Sequence, residues 1–139
     1  MDLKTRSDIF EYNTVVPESL GDFYGHLNHA GYLVLFEEAR WAFVRHFGWG
    51  EDEVKRRGQG PVVLEAKVRY QREVKQGEKI LVTTQAHDYQ SRLGYISQVM
   101  YAENHEAACT GEFTFGLFDL NKRKLVKPAE DWYRAVGLL

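Results

Sequence analysis

The hydrophobic positions of this 139-residue chain change period along its length. Residues 7–16 (SDIFEYNTVV) predict a first strand, and 17–28 (PESLGDFYGHLN) predict a loop. From 29 to 47 the apolar positions take helical spacing, with Tyr32, Phe36, Ala39, Phe43 and Phe47 on one face. Leu33, Leu35, Trp41 and Val44 widen that face, so this helix should be buried on more than one side. Asn28 suits its N-cap and Gly48 its C′ position. Residues 50–58 read as a short polar turn or helical piece. The period then becomes two. Val62, Leu64, Ala66, Val68 and Tyr70 alternate with Val63, Glu65, Lys67 and Arg69, which predicts a strand with one buried face. Further strands are predicted over 79–88, 95–102 and 107–119, and the last has Ala107, Cys109, Gly111, Phe113, Phe115 and Leu117 on one face. Pro128 opens a final amphipathic segment, 128–137.

Turn residues at 76–78, 91–94 and 103–106 leave only short connections between consecutive strands, which favours antiparallel pairing. The expected fold class is α+β, with one long apolar helix on a five-stranded, mostly antiparallel sheet. The length suits one domain over residues 1–139. One helix cannot cover five strands and also hide all its own apolar surface. A sheet curved around the helix, together with a second subunit, would satisfy both.

Composition narrows the function classes. Eighteen basic and twenty acidic residues give a net charge of -2, unlike a general nucleic-acid binder. The one cysteine, Cys109, closes no intrachain disulfide and reads as a small core residue. The first residues lack the apolar run of a secretory signal, and no stretch approaches the ~18 apolar residues of a membrane span. The expectation is a cytoplasmic protein with neither nucleic-acid nor membrane partners.

The segment from Gly21 to His29 carries the candidate chemistry. Asp22, His26, Asn28 and His29 fall within it, directly ahead of the long helix. Amides at a helix start have no internal partner and carry partial positive charge. They can hold the oxyanion that forms when a carbonyl is attacked. A nearby carboxylate can attack that carbonyl or activate water. The plainer alternative makes Asp22 a turn or cap residue. A metal site of Asp22, His26 and His29 lacks a third histidine at a recognisable spacing, so no metal is expected.

The run Asp22-x-x-Gly25-His26-x-Asn28, then Tyr32, then Phe36-Glu37-Glu38-Ala39-Arg40, resembles the 4-hydroxybenzoyl-CoA thioesterase branch of the hot-dog superfamily. The stretch GYLVLFEEARW looks most like the long-chain acyl-CoA thioesterases of bacteria. The resemblance implies a hot-dog fold, with the long helix wrapped by a curved five-stranded sheet. It also implies a homodimer, with a dimer of dimers as a further option, and an active site between subunits. Asp22 would be nucleophile or general base. The His29 backbone N–H would contribute to the oxyanion hole, and Gly25, His26 and Asn28 would shape the loop. Tyr24, Tyr32, Phe36, Val63 and Leu64 would contact substrate. The acyl-CoA is the substrate, and no cofactor is implied. Two other readings share the fold: an enoyl-CoA hydratase and a non-catalytic acyl-CoA-binding domain. The chain also departs from the family pattern. His29 stands where relatives often have Asn, and Leu20 where they often have a second acid. Tyr70-Gln71-Arg72-Glu73 replaces a frequent Tyr-x-x-Pro.

Overall fold

A computed structural model describes all 139 residues. The long helix, α1, spans His29–His46. Asn28 caps its start, its side-chain oxygen accepting the Gly31 N–H at 2.7 Å. Its end is closed by a left-handed residue, Gly48, at φ +91°. The Gly48 N–H donates to Arg45 C=O at 3.0 Å and the Trp49 N–H to Val44 C=O at 2.8 Å, the paired bonds of a Schellman motif. Trp49 is buried, with its indole N–H on Gln59 C=O. A second helix, α2 (Glu51–Arg57), follows and ends at Gly58, φ +70°.

The strands are β1 (Phe10–Val15), β2 (Gln59–Tyr70), β3 (Lys79–Gln90), β4 (Leu93–Tyr101), β5 (Ala107–Asp119) and β6 (Lys124–Val126). They form one antiparallel sheet in the order β1-β3-β4-β5-β2. β6 is an addition to the five expected strands: three residues, Lys124–Val126, pair with the end of β5. The short helix α3 (Glu130–Ala135) forms within the predicted terminal segment. Its Trp132 is fully buried, packs edge-on against Trp49 and donates to the Tyr89 hydroxyl.

The core lies between α1 and the sheet. Tyr32, Phe36, Ala39 and Phe43 from the predicted helix face are buried in it, whereas Phe47 at the helix end is 41% exposed. Cys109, Phe113, Phe115 and Leu117 meet them from β5, and burial pushes the Cys109 thiol up to about 12. Gly111 makes room for this contact: a Cβ there would fall 2.6 Å from the Phe113 ring and 3.4 Å from that of Phe36.

β2 departs from its predicted pattern in two ways. A bulge between Val63 and Glu65 leaves Leu64 as the extra residue. Opposite residues in a sheet share a face, so Val63 joins Phe115 on the inner side, and Ala66, Val68 and Tyr70 join Phe113, Gly111 and Cys109. The inner set therefore begins at Pro61 and Val63, not Val62 and Leu64, because one extra residue inverts the alternation. In addition, this face is not buried. Helix α1 packs on β3 and β1, while β2 lies at the far edge of the sheet, with inner-face Val63 at 43% and Tyr70 at 46% exposure and the bulge residue Leu64 at 50%.

Candidate active site

The loop before α1 folds as a small closed hairpin. The Asp22 N–H donates to His26 C=O at 2.8 Å and the Gly25 N–H to Asp22 C=O at 3.0 Å. Gly25 takes φ +83°, a conformation that disfavours side chains. Asp22 Oδ1 accepts the N–H groups of Tyr24 at 3.0 Å and His26 at 3.3 Å. The turn role of Asp22 is thus realised, and it occupies one carboxylate oxygen. Oδ2 has no hydrogen-bond partner within the chain.

The loop is fastened to its surroundings by backbone bonds. The buried Leu27 donates its N–H to Val74 C=O at 2.8 Å, Asn28 to Leu20 C=O at 2.9 Å, and Gln76 to Gly25 C=O at 3.1 Å. The Gln76 amide also reaches Asp22 C=O at 3.4 Å. His26 Nε2 lies 2.7 Å from Glu73 Oε2.

At the helix start, Asn28 satisfies the third amide, that of Gly31, and leaves those of His29 and Ala30 without an acceptor in the chain. The His29 side chain is exposed, while its C=O accepts the Tyr70 hydroxyl at 2.8 Å. Tyr70 meets Tyr32 edge-on at 5.1 Å, and the Tyr32 hydroxyl donates to Arg72 C=O at 3.2 Å. Burial is the main cause that pushes the Tyr32 phenol up to about 12. The end of β2 is thereby tied to the first turn of α1.

The substrate-contact residues expected from sequence do not converge in one chain. Tyr24, beside Phe23 at the loop tip, is 69% exposed. Tyr32 and Phe36 are enclosed in the core, so Phe36 offers no surface to a ligand here. Val63 lines a groove of about 360 Å³ between α1 and β2; Leu64 does not. The groove is otherwise made by Glu37, Arg40, Trp41, Val44, Pro61, Val62, Ile96 and Phe115. Arg40 lies over the Phe113 ring and donates to Gln98 Oε1 at 3.0 Å. Burial draws its guanidinium down to about 10. Asp22 is not part of this groove, and no three His, Cys, Asp or Glu side chains converge as metal ligands.

Sequence reasoning missed the Glu73 partner of His26 and the Tyr70 bond to His29. The only signal for Glu73 was its place in the Tyr70-x-x-Glu73 departure from the family pattern.

A long helix packed against one antiparallel sheet of order β1-β3-β4-β5-β2 is the arrangement of the hot-dog class. Residues 16–136 match the model of the thioesterase-like superfamily, and the chain belongs to that family. Among solved structures, it superposes on a Staphylococcus aureus protein in complex with CoA at a TM-score of 0.85, with 19% identity, over 94% of this chain and 82% of the other. For the DHNA-CoA thioesterase of the same organism the TM-score is 0.83 with 21% identity, over 91% and 87% of the two chains. For YbaW, a probable thioesterase of Escherichia coli, it is 0.76 with 25% identity, over 91% and 98%. A betainyl-CoA thioesterase of Pseudomonas aeruginosa is 30% identical over 90 residues, which is 65% of this chain and 57% of that protein. The chain thus spans little more than half the length of that curated relative.

Proposed function

We propose that this chain hydrolyses an acyl-CoA thioester to a free acid and CoA. One observation carries the reading: Asp22 keeps a free Oδ2 on a loop bonded directly into the start of α1, where the His29 and Ala30 amides stand unpaired. Membership of the thioesterase-like family supports it.

Asp22 acts on the thioester carbonyl as nucleophile or general base. In the general-base form it takes a proton from water as the water oxygen bonds to the carbonyl carbon. The His29 N–H stabilises the oxygen that becomes negative. Collapse of the intermediate breaks the carbon–sulfur bond, and the proton passes to the departing thiolate. Base, water and oxyanion donors suffice, so the proposed reaction needs no metal or redox cofactor.

The acyl group takes the groove beside Trp41 and Val63. Two copies pair along the free β2 edge, covering Val63, Leu64 and Tyr70 and completing each site from both chains. The exposed inner face of β2 supports this, and equilibrium sedimentation checks it. No helix is long and apolar enough to cross a membrane.

The test is thiol release over a panel of fatty, aromatic and betainyl CoA esters, with Asp22→Asn as the control. The panel includes the acyl types named for the relatives. Thiol release by Asp22→Asn at the wild-type rate would remove Asp22 from the mechanism. Tight acyl-CoA binding without thiol release would make the chain a binding domain instead.

A further inference from the structure

One charged side chain from outside the Asp22 loop engages it: Glu73, whose Oε2 lies 2.7 Å from His26 Nε2. Glu73 follows β2, in the same segment that accepts the Leu27 N–H through Val74 and donates the Gln76 N–H to Gly25. His26 is bonded to Asp22 through both its backbone groups. Its C=O accepts the Asp22 N–H at 2.8 Å, and its N–H donates to Asp22 Oδ1 at 3.3 Å. A continuous path therefore runs from the Glu73 carboxylate, through the His26 ring and backbone, to the Asp22 carboxylate.

We infer that Glu73 is a positioning residue for the hydrolysis proposed above, orienting Asp22 through His26. The inference rests on that reaction. An ionised carboxylate only accepts hydrogen bonds, so the bond to Glu73 keeps a hydrogen on His26 Nε2. In the neutral ring this selects one tautomer and leaves Nδ1 as the acceptor. The ring then holds one orientation, stacked beside Tyr24 at 6.1 Å, with Lys75 bridged to His26 on the neighbouring backbone. Both partners are substantially exposed, at 35% and 52%, so the pair contributes little to folding stability. Its consequence is directional. His26 supplies one of the two N–H groups that anchor Oδ1, and the direction of Oδ1 sets that of the free Oδ2.

The experiment combines steady-state kinetics with ¹⁵N spectra of the imidazoles in the full chain. Glu73→Ala should lose the hydrogen bond from His26 Nε2–H, seen as a shift of the Nε2 resonance, and reduce kcat about tenfold, with KM moving less than about twofold. Glu73→Gln retains an acceptor oxygen, so it should keep the hydrogen bond and recover most of kcat. Three results would overturn the inference: an unchanged Nε2 resonance in Glu73→Ala, an unchanged kcat despite a changed resonance, or equal losses in the Ala and Gln variants. Absence of thiol release by the wild type overturns the hydrolase reading and the kinetic role with it. The imidazole spectra separately decide whether Glu73 holds His26.

Discussion

The two ends of α1 are finished differently. At the C-terminal end, Gly48 and Trp49 close the last turn through two backbone bonds, and Trp49 is buried beneath it. Arg45 in that turn also pairs with Glu51 of α2 at 2.8 Å. At the N-terminal end, Asn28 satisfies the Gly31 amide, and those of His29 and Ala30 remain free beside the Asp22 loop. Both ends face the same problem of unpaired backbone groups. The end that solves it serves stability. The end left partly unsolved retains donors that can act on a substrate.

The largest expected effect lies at the open end. Asp22→Asn keeps the acceptor for the Tyr24 and His26 amides but removes the base, so kcat should fall about a thousandfold. Thermal melting should scarcely move, and a melting loss in proportion to the activity loss would make Asp22 merely a turn residue. At the closed end, Gly48→Ala forces a side chain into φ +91° and should cost about 1–2 kcal/mol of stability, read by urea unfolding. Its kcat should stay at the wild-type value, because no bond of Gly48 reaches the Asp22 loop.

Asn28→Ala joins the two properties. Loss of the cap should cost about 1 kcal/mol, and kcat should also fall because the cap sets the direction of the free amides. A stability loss without any kcat change would detach the helix start from the chemistry. The smallest effect concerns α2. Arg56 and Arg57 hold the Glu53 carboxyl down at about 2, and Arg45 lowers that of Glu51. These folded values lie below the unfolded one. The contribution of each is therefore present above about pH 4.5 and is lost as pH falls through its lowered value, about 2 for Glu53. Amide exchange in α2 should quicken over that window before exchange in α1 does. The Glu53 and Glu51 side chains are 30% and 51% exposed, so water screens both pairs; the change should be slight and should weaken with added salt.

Much of this contrast is legible in sequence because it is local. Asn28 ahead of an apolar helical run and Gly48 behind it mark both ends of α1 through the conformations those residues favour. The alternation in β5 likewise identifies its buried face from Cys109 to Leu117; at Ala107 it fails, because a bulge leaves Ala108 as the extra residue and buries that one instead. In β2 the same alternation misleads, since one extra residue at Leu64 exchanges the faces and no periodicity reveals where a bulge will fall. Nor does a pattern say what covers a face: β3 lies beneath α1 and β2 does not.

The sequence by itself determined the long helix, the five main strands, the antiparallel α+β class and the presence of an Asp-bearing loop before a capped helix; β6 was not legible in it. These follow from side-chain period and from the backbone preferences of single residues. Tertiary structure alone decided which groups surround that loop. Glu73, Gln76 and Tyr70 reach His26, Asp22 and His29 only because the end of β2 and the turn after it pass beside the helix start. Such contacts depend on the path of the chain through space, which the spacing of residues along it does not encode.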